Sequence, residues 1–193
     1  MSGVFVCIVG PSGAGKDTLI DGARRRLRGD ERFLFPRRIV TRSASHAEDH
    51  DTITMEDFRA LELGNRFSLS WTAHGLGYGL PGDVTDAVAN GGVVVCNISR
   101  SVVDHARKRF SLVRVVLVTA PREELHARLL ARGREEREDL SRRLERDSSE
   151  SNLPPDLTIT NVGPVESNVE ILVNFLSSTA KENYIPVGVF ARF

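Results

Sequence analysis

Gly10-Pro11-Ser12-Gly13-Ala14-Gly15-Lys16-Asp17-Thr18 follows directly on the apolar run Val4-Phe5-Val6-Cys7-Ile8-Val9. The spacing G-x-x-x-x-G-K, set between a buried-strand pattern and a helical one, is that of a phosphate-binding loop. Its glycines let the backbone curl so that successive N–H groups converge on phosphate oxygens. The helix that follows offers the positive end of its dipole to the same anion. Lys16 adds a compact charge for the β- and γ-phosphates, which makes it a candidate catalytic residue within a nucleotide site running from Gly10 to Thr18. The bland alternative is a glycine-rich turn between a core strand and a helix, and the flanking patterns weigh against it. One position departs from the motif: Asp17 stands where Ser or Thr would meet a magnesium ion, and Thr18 follows one place later.

Composition bounds what such a loop can serve. At 193 residues the chain is expected to form one domain with a full-sized core. It is 40% hydrophobic and 27% charged with zero net charge, so bulk electrostatics give no support to nucleic-acid or membrane-surface binding. Lysine occurs only at positions 16, 108 and 181, and one of the three fills the motif position that demands it. Cys7 and Cys96 each lie inside an apolar run without metal-type spacing, and read as small core residues of a reducing compartment. The short N-terminal apolar run has no basic region before it and cannot span a bilayer. A cytoplasmic protein is expected.

Along the chain, helical and strand patterns alternate. A helix is predicted over Thr18 to Leu27, and a second strand over Phe35 to Val40. A polar loop over Thr41 to Asp51 holds Arg42, His46 and His50. A helix capped by Thr54 is predicted to run to Gly64. Phe67 to Trp71 reads as a strand, His74 to Gly79 as a glycine-rich connection, and Asp83 to Asn90 as a short helix. The continuous apolar runs Val93 to Cys96 and Val113 to Val118 fit central strands buried on both faces. Helices over Val102 to Phe110 and Glu123 to Ala131, a strand over Leu157 to Thr160 and a closing helix over Val165 to Ala180 complete the order. Such alternation predicts an α/β fold, an open parallel sheet with helices on both faces.

Two further stretches suggest chemistry. Arg132 to Arg146 has few apolar residues and densely mixed charge. It is either a solvated helix laced by i,i+4 ion pairs such as Glu138–Arg142, or a lid that delivers arginines to a transferred phosphoryl group. Arg42 heads the loop after the second strand, at the sheet edge where ligands bind in open α/β folds. Tyr78 lies among Gly75, Gly77 and Gly79, where backbone can approach a ligand. A surface arginine and a structural tyrosine are the bland readings. His46, His50 and His74 lack ligand spacing and read as surface residues.

Taken together, the loop Gly10 to Thr18, Val40-Thr41-Arg42, the string Trp71 to Pro81 and the charged Arg132 to Leu144 resemble the guanylate-kinase-like P-loop kinases, in that family's order. The resemblance implies a single kinase domain with an acceptor-binding subdomain at about 40–81 and a lid at about 132–147. The chain departs from guanylate kinases at telling places. Ser70 replaces the glutamate that reads the guanine edge, Ser45 a second arginine, and Gly77 the first of two tyrosines. Cys96-Asn97-Ile98-Ser99 replaces a segment with an acidic residue. Asp17, Ser70-Trp71, the Asn97-to-Arg100 segment and Thr160 to Glu166 instead resemble the ribose 1,5-bisphosphate phosphokinases of bacterial phosphonate breakdown. That resemblance implies ATP and magnesium as cofactors and a small phosphorylated sugar as partner. It implies Lys16, Arg132 and Arg143 as catalytic residues, Asp17 as the metal ligand with Thr18 as competitor, and Arg42, Ser70, Tyr78 and Asn97 at the acceptor. A homodimer is admitted as an assembly. The alternatives are a guanylate or other nucleoside-monophosphate kinase with an altered pocket, and a non-catalytic protein-binding module of the same fold.

Overall fold

Val4 to Val9 is apolar at every position, and β1 (Val4–Val9) is buried throughout, as a central strand covered on both faces must be. The computed structural model describes residues 3–43, 50–73, 75–131 and 154–183. After β1 come α1 (Lys16–Arg26), β2 (Phe33–Leu34), β3 (Arg38–Val40), β4 (His50–Thr52), α2 (Met55–Leu63), β5 (Phe67–Ala73) and β6 (Leu76–Pro81). Then follow α3 (Asp83–Ala89), β7 (Val93–Asn97), a single 3-10 turn into α4 (Val103–Arg109), β8 (Val113–Thr119), α5 (Arg122–Ala131), β9 (Leu157–Thr160) and α6 (Val165–Asn183).

The strands form two sheets. The larger has the order β2-β7-β1-β8-β9 with every pairing parallel; the smaller has the order β4-β3-β6-β5. Alternate residues of β1 feed different cores. Val4, Val6 and Ile8 pack with Leu19 of α1, Leu125 of α5 and Leu172 and Leu176 of α6. Phe5, Cys7 and Val9 pack with Val84 of α3, Val103 and Ala106 of α4, and Leu69 and Leu80 of the small sheet. Helices therefore cover both faces, as the alternating pattern predicts, and the small sheet adds to one side. Cys7 and Cys96 sit side by side in the β1–β7 register. Burial pushes both thiols well above their ordinary range, so neither is a nucleophile at neutral pH. Among the described residues, no helix is long and apolar enough to cross a membrane.

Three local expectations need correction. The strand predicted over Phe35 to Val40 is shorter, since only Arg38–Val40 pairs, with β4 and β6 in the small sheet, while a separate strand just before it, Phe33–Leu34, pairs with β7 in the large one. Pro36 lies between them, and its missing N–H cannot serve a ladder, so the chain changes sheets there. The polar loop over Thr41 to Asp51 ends in a strand, β4, parallel to β3. The glycine-rich connection is largely β6, antiparallel to β5. Gly77 and Gly79 are needed as strand residues because a Cβ at either would lie 2.8 Å or 2.5 Å from the rings of Phe58 and Phe67. The predicted α2 holds: Thr54 Oγ1 accepts from the Asp57 N–H at 3.0 Å and Gly64 closes the helix. Ser45, His46, His74, the lid stretch with Arg132 and Arg143, and the tail beyond residue 183 lie outside the described residues.

Candidate active site

The loop is shaped by glycines in conformations other residues avoid. Gly10, Gly13 and Gly15 have φ of 146°, 82° and 87°. No described side chain caps α1 at Gly15, so the first-turn N–H groups point out of the helix end, the arrangement that receives phosphate. Lys16 folds back over this mouth and donates from Nζ to the carbonyls of Gly10 at 2.7 Å and Pro11 at 2.9 Å. Its charge is thereby held at the loop mouth.

A second layer fixes the loop from beneath. Asn161, just after β9, donates from Nδ2 to the Ala14 carbonyl at 2.8 Å. Asn168 of α6 donates to Asn161 Oδ1 at 3.1 Å and to the Val162 carbonyl at 3.0 Å. Both amides are buried and satisfied, and such a chain of hydrogen bonds permits one loop conformation. The approach is close: a Cβ at Gly15 would lie 2.3 Å from Asn161 Nδ2. Reading the residues one by one assigns no task to this pair. The available signal was two asparagines seven apart around Val162-Gly163-Pro164.

Asp17 and Asn97 are brought together from the start of α1 and the end of β7. The Asn97 amide donates to Asp17 Oδ1 at 2.7 Å, and the Arg38 guanidinium stands 3.6 Å from the same oxygen. The carboxylate of position 17 thus occupies the space beside the amide that replaces an acid at the end of β7. As a hard oxygen donor next to the loop mouth it fits a magnesium ion, whereas Thr18 is exposed. Asn97 is in this way a partner of the metal-ligand candidate before it is an acceptor contact.

Of the acceptor-site candidates, Arg42 follows β3, and its carbonyl accepts from His50 Nε2 and Thr52 Oγ1, both at 3.0 Å. His50 is 2% exposed, which corrects the expectation of a surface histidine: it is a buried post that fixes the loop carrying Arg42. Tyr78 stacks on Trp71 with ring centroids 5.4 Å apart and planes at 7°. The two face each other across β5–β6 on the side of Leu69 and Leu80, toward the large sheet. Ser70 is opposite Gly79 and so projects from the other face, where its hydroxyl donates to Glu62 Oε1 of α2 at 2.8 Å. The structure does not bring Ser70 together with Tyr78 or Asn97.

Comparison with known proteins bears on family and fold. A family model described as an AAA domain matches residues 6–152. The ribose 1,5-bisphosphate phosphokinase PhnN of Methylobacterium radiotolerans is 51% identical over 176 residues, 91% of this chain and 98% of that protein. The protein of the same name from Brucella melitensis biotype 2 is 44% identical over 180 residues, 92% of this chain and 94% of that one. In fold, the crystal structure of guanylate kinase from Anaplasma phagocytophilum matches with a TM-score of 0.65 at 20% identity, covering 97% of this chain and 92% of that one. The chain carries a P-loop AAA domain and belongs to the ribose 1,5-bisphosphate phosphokinase family.

Proposed function

We infer that the protein transfers the γ-phosphoryl group of ATP to ribose 1,5-bisphosphate, giving 5-phosphoribosyl 1-diphosphate in phosphonate breakdown. One observation carries the choice of acceptor. Position 70, where a guanine-reading glutamate stands in guanylate kinases, is a serine turned beneath α2 and hydrogen-bonded to Glu62. A phosphorylated sugar has no base to read. It needs cations and hydroxyl donors, which Arg42 and Tyr78 supply.

The chain's own residues do the following work. N–H groups from Gly13 to Asp17 hold the nucleotide phosphates, and Asn161 keeps that loop in register through Ala14. Lys16 bridges the β- and γ-phosphates. Asp17, its carboxylate fixed by Asn97, would hold a magnesium ion, which would supply positive charge to the nucleotide phosphates. An oxygen of the C1 phosphate attacks the γ-phosphorus in line and the bond to the β–γ bridging oxygen breaks, so ADP leaves and a diphosphate forms at C1. The attacking oxygen is already ionised, and no side chain has to remove a proton. Arg42 holds the acceptor, and resemblance assigns to Arg132 and Arg143 the closure over the transferred group. Catalysis is then positioning and charge neutralisation. The buried, reduced thiols suit a cytoplasmic setting.

The test is ADP release with ribose 1,5-bisphosphate beside GMP. The expected kcat/KM ratio is on the order of 10³ or more in favour of the sugar, since a site without base-reading groups gains little from guanine. A preference for GMP overturns the reading. Asp17→Asn is expected to raise the magnesium concentration for half-maximal rate by about tenfold or more. An unchanged requirement moves the ligand role to Thr18.

A further inference from the structure

Arg38 opens β3 in the small sheet, opposite His50 in the β3–β4 register. Its side chain nevertheless reaches the nucleotide loop, ending 3.6 Å from Asp17 Oδ1 at the start of α1. This contact joins the small sheet to the start of α1 by charge. Only 15% of that side chain is exposed. The oxygen it faces also accepts from Asn97, the last residue of β7, so the guanidinium stands near the carboxyl end of that strand.

The guanidinium carries five N–H donors in a planar fork. Asp17 is its single charged partner among the described residues, through a contact too long for a hydrogen bond, and the oxygen it faces already accepts from Asn97 at 2.7 Å. A cation so largely removed from water, with its donors mostly unused among the described residues, is suited to a ligand anion. The reaction brings two anions together at this place, the γ-phosphoryl group above Lys16 and the phosphate that attacks it. A rigid fork can hold the second by two parallel hydrogen bonds while Asp17 steadies the arginine from behind.

We propose that Arg38 is the specificity-determining residue that binds the attacking C1 phosphate of the acceptor and sets it in line with the nucleotide. The assignment rests on the ribose 1,5-bisphosphate reading above. It explains why the acceptor must carry a phosphate at C1 as well as C5: the C5 phosphate is left to Arg42, and the C1 phosphate is both nucleophile and handle.

The experiment compares wild type, Arg38→Gln and Arg38→Lys by calorimetry and steady-state kinetics, using ribose 1,5-bisphosphate, ribose 5-phosphate and ATP. In Arg38→Gln, affinity for ribose 1,5-bisphosphate is expected to fall by about 10- to 100-fold, with a matching rise in KM. Affinities for ribose 5-phosphate, which lacks the C1 phosphate, and for ATP stay within about twofold of wild type. Arg38→Lys, which keeps the charge and loses the fork, recovers part of the loss. Should Arg38→Gln fail to fold, Arg38→Lys decides by the same comparison of the two sugars. Equal loss for both sugars, loss of ATP affinity instead, or no loss at all overturns the assignment. A wild-type chain that neither binds nor turns over ribose 1,5-bisphosphate overturns the function reading itself, and is distinguished by that control.

Discussion

Lys16→Ala lowers turnover by on the order of 10²–10³-fold or more, while the protein stays folded. The lysine has two separable tasks. In the fold it closes the loop, since Nζ donates to the carbonyls of Gly10 and Pro11. Losing two partly buried, charge-assisted hydrogen bonds costs about 3–6 kcal/mol at most, less whatever water replaces. In the reaction it places a positive charge beside the group on which negative charge shifts. That contribution is larger in the transition state than in the bound nucleotide, so kcat falls more than ATP affinity does. Lys16→Arg does not restore the rate, because a planar fork does not reproduce the compact point charge that Nζ places at the Gly10 and Pro11 carbonyls. ADP release under saturating substrate and ATP calorimetry together read both tasks. Turnover within threefold of wild type removes Lys16 from the mechanism.

Among the described glycines, Gly10→Ala brings the added methyl group nearest to another atom. The added Cβ would lie 1.9 Å from the Val118 carbonyl oxygen and 3.0 Å from its carbon, at a φ of 146°. The obstructing atoms are backbone of β8, hydrogen-bonded to β1 in the middle of the large sheet, so neither strand can give way without breaking its ladder. The expected cost is about 3 kcal/mol or more, a fall in melting temperature of roughly 6–12 °C for a chain of this size. Nucleotide binding is lost alongside. Gly29→Ala is the control: φ is also positive, 90°, but nothing lies within 4 Å, so only about 1–2 kcal/mol of backbone strain is expected. Calorimetric melting of the two variants makes the comparison, and equal melting temperatures would contradict the close packing of the loop against β8.

What was legible in the sequence follows physical range. The phosphate loop is written in nine consecutive residues whose backbone needs are local, so Gly10 to Lys16 announced both conformation and chemistry. The central strands were legible as well, because burial on both faces demands unbroken apolar runs. The exchange of sheets at Pro36 was not, since the proline marks a break in pairing without naming the next partner. Gly77 and Gly79 looked like loop residues because the rings that require their smallness, Phe58 and Phe67, belong to other elements. His50 looked exposed among polar neighbours, and only the return of β4 alongside β3 buries it. Arg38 was hidden by abundance: in a chain with 26 basic residues, nearly all arginine, nothing local separates one that faces Asp17 from those that face water. Asn161 lies 147 residues from the Ala14 carbonyl it holds, a distance no pattern along the chain can bridge.

The stacked pair Trp71–Tyr78 has a practical consequence. Trp71 is the sole tryptophan of the chain, so indole emission excited selectively comes from one ring on the acceptor sheet. That ring is half-buried, lies parallel to Tyr78 at 5.4 Å, and stands on the strand pair that continues into β3 through Tyr78 and Val40. The protein therefore carries its own optical reporter, unlabelled, beside Tyr78, where we propose that the acceptor is held. Stopped-flow fluorescence can time the arrival of the sugar independently of the chemistry that follows.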